Sequence, residues 1–427
     1  WSRFSADEAT DKLQRYLIDD RNLGFNFRKA GVLRFSWIKM PAELSSGKAS
    51  SGTADEKHQF IWSFHHILLD GWSLPIVFGE LFAAYDALTT GQPLNLGRAP
   101  SYQSFIGWMQ KQDRKAAEAF WRSYLQGFSA ATPTPVRNSA AVIKHKLDDA
   151  ANHADRYREM EVVLQGSTLN KLQSIAKQHH LTLNHIMQGV WAVLLQRYSG
   201  ETDIVFGTTV SGRPADLAGV EQMVGLFINT LPLRLQVDAQ KSFIHWLQKM
   251  QTSQVDLKRY EFTSLVDVQQ WSDVGGKQPL FESILVFENY PIDDSLEQSQ
   301  ASLRIGHVDA FQQTNFPLTL IGIPVKDSLI VRFSYDSIQF EAPVISRMLG
   351  HIAQLMEGVA AQPAVPIREL PMLTADEVTL MTQRWNETSR DIPADKTLGE
   401  LFDAVAARHP NIDAWHMNGR RVSYAQL

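Results

Sequence analysis

The sequence contains no cysteine, which excludes disulfides, thiolate metal ligands and a cysteine nucleophile together. It has no apolar run of membrane-spanning length, and residues 1–20 lack the form of a secretory signal peptide. Neither sign of charge dominates, because 41 Lys and Arg residues stand against 46 Asp and Glu residues. A dedicated nucleic-acid binder needs a basic face. We therefore expect a cytoplasmic, globular protein with no nucleic-acid or membrane partner.

Two common motifs of enzyme active sites are also missing. The sequence has neither the G-x-S-x-G turn of serine hydrolases nor the G-x-G-x-x-G turn of dinucleotide-binding proteins. Residues 275–277, Gly-Gly-Lys, lack the upstream glycine of a phosphate-binding loop. A reaction without a protein nucleophile fits these absences. Direct attack of one bound group on another depends on positioning, proton handling and the exclusion of water.

Helical and strand patterns are mixed along the chain. Apolar residues recur at helical spacing in residues 6–19 and 101–124. Residues 58–65 alternate as a strand does, with Phe60, Trp62 and Phe64 on one face. Further strands are predicted at residues 32–40, 203–210, 283–287 and 328–335. This mixture predicts an α/β or α+β fold with two lobes.

Capping residues, a polar loop and prolines mark the boundaries of these elements. The predicted helix caps are Ser73, Ser167 or Thr168, and Thr182. Residues 45–57 have the composition of a surface loop. The pattern breaks down around Pro133 and Pro135, where we place the boundary between the lobes.

The sharpest local feature is residues 64–73, Phe-His-His-Ile-Leu-Leu-Asp-Gly-Trp-Ser. Two adjacent histidines close a predicted strand, and an Asp-Gly turn precedes a helix. If the strand continues through His66, its imidazole lies on the aromatic face and His65 lies on the other. A neutral histidine can accept a proton from an attacking amine. Asp70 could then orient the site through a buried ion pair.

Three interpretations of this segment are open. In the first, both histidines are packed residues at a strand end. In the second, His65, His66 and Asp70 bind a metal ion, although adjacent strand residues point to opposite faces and make that geometry poor. In the third, one histidine serves acyl-transfer chemistry.

The string His65-His66-x-x-x-Asp70-Gly71 resembles the hallmark of the condensation-domain superfamily of nonribosomal peptide synthetases. That superfamily includes epimerisation and cyclisation domains and resembles chloramphenicol acetyltransferase. Further segments match the family in order, namely residues 101–108, 210–214, 223–232, 265–269, 279–283, 287–291 and 314–319. The resemblance spans nearly the whole chain.

The identities of individual residues in these segments suggest a subclass and a division into domains. Residues 70–75 and 223–230 resemble the subclass that joins an L-configured donor to an L-configured acceptor, whereas a heterocyclising domain would replace His65 by Asp. The family's first segments are absent, so we expect the chain to begin inside the first lobe. The expected domains are an incomplete first lobe at residues 1–130, a second lobe at 131–373, a linker at 374–395 and the beginning of an adenylation domain at 396–427.

The resemblance implies a V-shaped pair of lobes, each similar to a chloramphenicol acetyltransferase protomer, with a tunnel between them. Upstream and downstream carrier domains would insert their 4′-phosphopantetheine arms from opposite ends, and an adenylation domain would follow in the same chain. His66 would meet both substrates, no metal is implied, and Arg213 would pair with Asp70. The implied catalytic and tunnel-lining residues are His66, His65, Asp70 and Gly71, with Trp72, Ser73, Gly225 and Asn229 along the tunnel.

Purely structural interpretations of these residues are also open. Arg213 could be a solvated turn residue, and Asn229 is more simply a hydrogen-bonded residue at a strand end. We expect His179, His180 and His185 to be surface or capping residues. For the whole chain, the alternatives are an epimerisation domain of the same superfamily and a catalytically silent domain that only recruits a partner.

Overall fold

The computed structural model of the chain describes residues 1–29, 31–41, 57–134, 137–148, 156–274, 278–288, 308–391, 393 and 395–427. These residues form two compact units, Trp1–Met372 and Leu373–Leu427. Most of the predicted loop at 45–57, Pro135, the Gly-Gly-Lys string at 275–277 and residues 289–291 lie outside the described ranges. No helix in the described part of the chain is long and apolar enough to cross a membrane.

The first unit begins with helix α1 (Ala6–Leu23) and a two-stranded antiparallel sheet of β1 (Leu33–Lys39) and β2 (His58–Phe64). The predicted alternation in β2 is confirmed, because Phe60, Trp62 and Phe64 lie on one face with aromatic residues of β1. Helix α1 covers the other face, where Ala9 packs with Ile38.

Helices follow this sheet. They are α2 (Leu74–Thr90), α3 (Tyr102–Met109), α4 (Arg114–Tyr124) and α5 (Ala140–Asp148). The single helix predicted at residues 101–124 is therefore two helices. The reason is Asp113, whose carboxylate accepts hydrogen bonds from the Lys115 and Ala116 N–H groups and starts a new helix.

The larger part of the unit is built on a six-stranded mixed sheet. Its strands are β3 (Tyr157–Gln165), β4 (Asp203–Val210), β5 (Asn229–Gln236), β6 (Ser283–Phe287), β7 (Leu318–Val325) and β8 (Ser328–Asp336). They are arranged in the order β3-β8-β7-β6-β4-β5, and the two pairs made by β6 are parallel. The mixed α/β architecture expected from the sequence is confirmed.

Helices close both faces of this sheet. They are α6 (Gly166–Gln178), α7 (Leu183–Ser199), α8 (Phe243–Lys258), α9 (Leu265–Trp271) and α10 (Ala342–Ala361). One face packs on α7, whose Trp191 is fully buried. On the other face, Trp121 of α4 belongs to a cluster with Leu231 and Phe281. Helix α4, which we predicted within the first lobe, therefore packs on the sheet of the second.

Two of the three predicted helix caps concern helices that pack on this sheet. Thr182 caps α7 as predicted, and its partner in a reciprocal capping box is His185. The prediction of Ser167 or Thr168 as the cap of α6 is wrong, because α6 begins at Gly166 and Gln165 holds the capping position. Gln165 still pairs with Ser328, so β3 runs directly into the helix.

The second unit is small. It contains α11 (Ala375–Thr382), α12 (Leu398–Arg408) and a hairpin of β9 (Asp413–Met417) and β10 (Arg420–Ser423). The ring of Phe402 on α12 lies 5.5 Å from that of Tyr424, which follows the hairpin.

Candidate active site

The two histidines lie in a turn rather than on a strand. Strand β2 ends at Phe64, one further ladder bond joins the His65 N–H to the Val32 carbonyl, and the chain then turns with the Leu68 N–H bonded to the His65 carbonyl. The condition that the strand continues through His66 is therefore not met. Strand parity does not place the His66 imidazole on the aromatic face.

His65 and His66 differ in their surroundings. His65 Nδ1 accepts a hydrogen bond of 3.1 Å from the Ile67 N–H, and its ring lies edge-on to Phe27 at 4.7 Å. His66 is exposed and makes no hydrogen bond with the residues that the structure describes. Both residues are exposed, but within the described part of the chain only the His65 imidazole is engaged by a neighbouring N–H group and an aromatic ring.

Asp70 is buried, with 1% of its surface exposed. Its Oδ1 accepts hydrogen bonds from the Ser73 N–H at 3.0 Å and from Arg213 Nη2 at 3.1 Å, and its Oδ2 accepts one from the Phe227 N–H at 3.0 Å. Both carboxylate oxygens are thus turned into the protein. This arrangement speaks against the metal interpretation, because Asp70 has no oxygen directed at an ion beside the histidines.

Arg213 is the charge partner of Asp70 in the structure. Its side chain is 7% exposed, and Nη1 donates to the carbonyls of Val220 and Met223. The guanidinium carbon lies 4.0 Å from the centre of the Phe227 ring. A solvated turn arginine would have none of these partners, so that alternative is wrong. The pair joins the motif turn to the segment that follows β4.

Ser73 and Gly225 add further hydrogen bonds between the motif turn and the segment that follows β4. The Asp70 N–H donates to the Gly225 carbonyl at 3.1 Å, and the Gly225 N–H donates to the Ser73 hydroxyl at 3.1 Å. The Ser73 hydroxyl lies 2.9 Å from Asp70 Oδ1 and 3.0 Å from the Gly225 carbonyl, and its one proton serves either acceptor. Ser73 occupies the capping position of α2 as predicted, but its side chain makes no capping bond. Gly71 is buried in the short turn that Asp70 caps.

Gly225 was expected to line a tunnel, yet it lies in a packed contact. A Cβ atom at this position would fall 2.2 Å from the Tyr102 ring. Tyr102 in turn donates its hydroxyl to the Leu226 carbonyl. Burial raises the pKa of Tyr102, and the nearby Asp70 charge raises it further. A larger residue at Gly225 would therefore strain the fold, because Tyr102 of α3 packs directly against this backbone.

Asn229 is a hydrogen-bonded strand-end residue, as its simpler interpretation predicted. It is half-buried at the start of β5, and its amide nitrogen donates to the carbonyls of Glu261 at 2.8 Å and Thr263 at 2.7 Å. Its Oδ1 accepts from the Thr230 N–H. Trp72 is also half-buried, beside the Asp70 turn.

Two cavities of the described chain lie away from this site. One, of about 310 Å³, is lined by Ile175 and Ala360 between α6 and α10. The other, of about 180 Å³, is lined by Lys146 and Tyr335. Neither is lined by His66, so the tunnel past His66 stays a prediction. Of the other histidines, His185 is the predicted capping residue, and burial lowers its pKa.

Sequence reasoning missed three residues that the structure singles out. Tyr102 and Phe227 lay in segments resembling the family but received no role, because their contacts with Gly225 and Arg213 are non-local. Glu261 was overlooked. Burial raises its pKa to about 7, against an opposing effect of Lys258. The available signal was a lone acidic residue between two aromatic ones, Tyr260 and Phe262.

The chain is similar in sequence to proteins of known families. A sequence model of the family described as "Condensation domain" matches residues 5–382. A linear gramicidin synthase protein of Brevibacillus parabrevis is 41% identical over 423 residues, which cover 99% of this chain and 8% of that protein. Tyrocidine synthase 2 of the same organism is 33% identical over 429 residues, covering 99% of this chain and 11% of that protein.

Solved structures show the same fold. The first condensation domain of the calcium-dependent antibiotic synthetase, in complex with a substrate analogue, has a TM-score of 0.62 at 16% identity, covering 86% of this chain and 76% of that one. A four-domain nonribosomal peptide synthetase bound to AMP and glycine has a TM-score of 0.73 at 17% identity, covering 97% of this chain and 31% of that one.

Proposed function

The chain belongs to the condensation-domain family of nonribosomal peptide synthetases, and on that premise we propose that it forms a peptide bond between two carrier-bound aminoacyl groups. The amine of the downstream aminoacyl group attacks the thioester carbon of the upstream group. A C–N bond forms, the C–S bond breaks, and the proton lost by the amine ends on the departing thiol. The growing chain thereby passes to the downstream carrier.

The observation that carries this proposal is the contrast between His66 and Asp70. His66 is exposed and makes no hydrogen bond with the described residues, whereas Asp70, four positions later, is buried and held from four directions. A free imidazole on a fixed turn can hydrogen-bond the attacking amine and take its proton. Asp70 and Arg213 would act by holding that turn in place, without contact with the substrate.

Positioning supplies much of the rate in such a reaction. Because two bound groups react directly, alignment of amine and thioester replaces a bimolecular encounter. The 4′-phosphopantetheine arms are part of the substrates, carried by the two carrier domains. We propose that they meet at His66 through a tunnel that opens on both sides, with Trp72 near its middle; Ser73, expected to line it, is fully buried between Asp70 and Gly225.

The finer assignments are proposals as well. We propose an L-donor and L-acceptor subtype from the sequence of the two motif segments, and an adenylation domain that begins near residue 396. We also propose that the chain is a piece of a longer synthetase whose upstream residues complete the first lobe. Two observations support this: the chain spans 8% of the linear gramicidin synthase protein, and Phe35 and Trp37 leave 58% and 61% of their surface exposed on a two-stranded sheet.

Product analysis tests the proposed reaction. The protein that contains this chain would be mixed with a donor carrier bearing an L-aminoacyl thioester and an acceptor carrier bearing a second one. Mass spectrometry of the acceptor carrier should show a dipeptidyl thioester. An inverted stereocentre without a dipeptide would indicate an epimerisation domain instead, and unchanged carriers would indicate a silent domain. Either result would contradict the proposal.

A further inference from the structure

The loop between α8 and α9 carries one buried and one half-buried polar side chain, and neither makes a side-chain hydrogen bond with the residues described. Thr263 is 4% exposed, and its hydroxyl makes no hydrogen bond with the residues described. Glu261, two residues earlier, is half-buried, and its carboxylate accepts no hydrogen bond within the same part of the chain. A buried polar group without a partner costs free energy, so the Thr263 hydroxyl beside a half-buried carboxylate calls for an explanation.

The loop is fixed to the segment that holds the motif turn. Asn229 donates both of its amide hydrogen bonds to the loop backbone, at the carbonyls of Glu261 and Thr263. Asn229 lies only two residues beyond Phe227, whose N–H binds the Asp70 carboxylate. A short chain of bonds thus ties the Glu261 backbone to the turn that carries His66.

Aromatic contacts hold the loop from its other side. The Tyr260 ring stacks on Phe120 of α4, with ring centres 4.5 Å apart, and the Phe262 ring lies edge-on to Trp108 of α3 at 6.2 Å. The residues on both sides of Glu261 are therefore anchored in the protein. Its carboxylate is presented from a rigid backbone, which is what a binding residue requires.

We propose that Glu261, with Thr263 beside it, binds the amino group of the acceptor substrate. This inference rests on the proposed condensation reaction. A carboxylate only accepts hydrogen bonds, so its ligand must donate them, and an ammonium group has three N–H donors and a compensating charge. Both aminoacyl groups carry an amine, but only the acceptor amine must lose a proton before it attacks, and a carboxylate can accept that proton.

The same carboxylate suits the proton transfer that must precede attack. Burial raises the pKa of Glu261 to about 7, and Lys258 at the end of α8 opposes the rise. A bound ammonium can pass one proton to the Glu261 carboxylate, which leaves a neutral amine and a neutral carboxyl group. The neutral amine is the species that attacks the thioester.

A comparison of two ligands in two proteins tests this subsite. Binding of the amide analogue of alanyl-pantetheine would be measured by calorimetry against the propionyl analogue, which lacks only the amine. The wild-type protein should bind the alanyl analogue about 10- to 100-fold more tightly. In Glu261→Gln, which keeps the size of the side chain, this preference should disappear. Thr263→Val should reduce it in part.

Glu159→Gln is the matched control. Glu159 on β3 is also a carboxylate whose pKa is raised by burial, but it lies 3.5 Å from the guanidinium of Arg332. It should keep the wild-type preference for the amine. Equal binding of the two analogues by the wild type, or an undiminished preference in a folded Glu261→Gln, would overturn the inference. Failure of the wild type to form a dipeptide would instead overturn the proposed function.

Discussion

At the scale of single residues, the buried pair of Arg213 and Asp70 is the strongest constraint at the site. Removal of the cation in Arg213→Ala would leave a buried carboxylate without a countercharge and two carbonyls without a donor. We expect the free energy of unfolding to fall by about 3–5 kcal/mol, as for other broken buried pairs. Urea unfolding followed by circular dichroism would measure this loss.

Arg122→Ala provides the control for that experiment. Arg122 pairs with Glu118 on the surface of α4, where the two side chains are 56% and 40% exposed. An exposed pair of this kind contributes about 0.2–1 kcal/mol. Losses of similar size in the two variants would mean that the Asp70 pair does not hold the motif turn.

Gly225 gives a second residue-scale prediction. The Cβ atom of Gly225→Ala would overlap the Tyr102 ring, so α3 or the 225–229 segment must shift. We expect a loss of about 1–3 kcal/mol in unfolding free energy. Gly107→Ala on α3 is the matched change, since no heavy atom lies within 4 Å of its added Cβ. A Gly225→Ala protein as stable as Gly107→Ala would contradict the packing described.

Sequence reasoning reached the Asp70–Arg213 pair because the motif and the resemblance named both residues. It did not predict that the chain leaves the strand before His66. That depends on where the pairing with the neighbouring strand ends, and the last bond joins His65 to Val32. It did not predict the close contact of Gly225 with Tyr102 either. Such a contact joins positions 123 residues apart and leaves no local pattern.

At the scale of secondary structure, Asp20 fastens α1 to its sheet. Arg34 on β1 donates a hydrogen bond of 2.7 Å to the Asp20 carboxylate, and Ser63 on β2 donates another. The bond from Arg34 lowers the pKa of Asp20 below its ordinary value of 3.8. The ionised carboxylate therefore stabilises the fold above that value, and the contribution is lost as the pH falls through the lowered pKa.

This linkage predicts a pH-dependent effect of Asp20→Asn. At pH 7 the variant should lose about 1–2 kcal/mol of unfolding free energy relative to the wild type. The difference should shrink as the pH falls below about 4. Asp19→Asn, at the exposed neighbouring position, should stay within about 0.5 kcal/mol throughout. Urea unfolding at several pH values would measure both variants, and a deficit in Asp20→Asn that grows on acidification would contradict the linkage.

Elements were predictable where the signal is local. The period-two pattern of β2 and the Thr182 cap of α7 depend on neighbouring residues, and both predictions are confirmed. The division of residues 101–124 into two helices was missed, although Asp113 is itself a local capping signal. The start of α6 was missed for a different reason, since pairing of Gln165 with Ser328 extends β3 up to the helix.

At the scale of the whole molecule, the sequence predicted a mixed α/β protein but could not supply its strand order. Strand β3 pairs with β8, which lies more than 150 residues later, while β4 takes β5 and β6 as neighbours. Such pairings follow from non-local packing. Hydrophobic periodicity reports only local structure and does not indicate which strands pair. The division after Met372 separates the unit that carries the motif from the last 55 residues.

In the whole molecule, the proposed reaction depends most on His66, and one comparison of variants tests this most directly. Dipeptide formation on loaded carriers would be measured for wild type, His66→Ala and His65→Ala in the protein that contains this chain. We predict that His66→Ala lowers the rate by about 10²–10⁴-fold with an unchanged melting temperature. His65→Ala, which loses its contact with Phe27, should act mainly through stability. Near wild-type dipeptide formation by a folded His66→Ala protein would contradict the central claim.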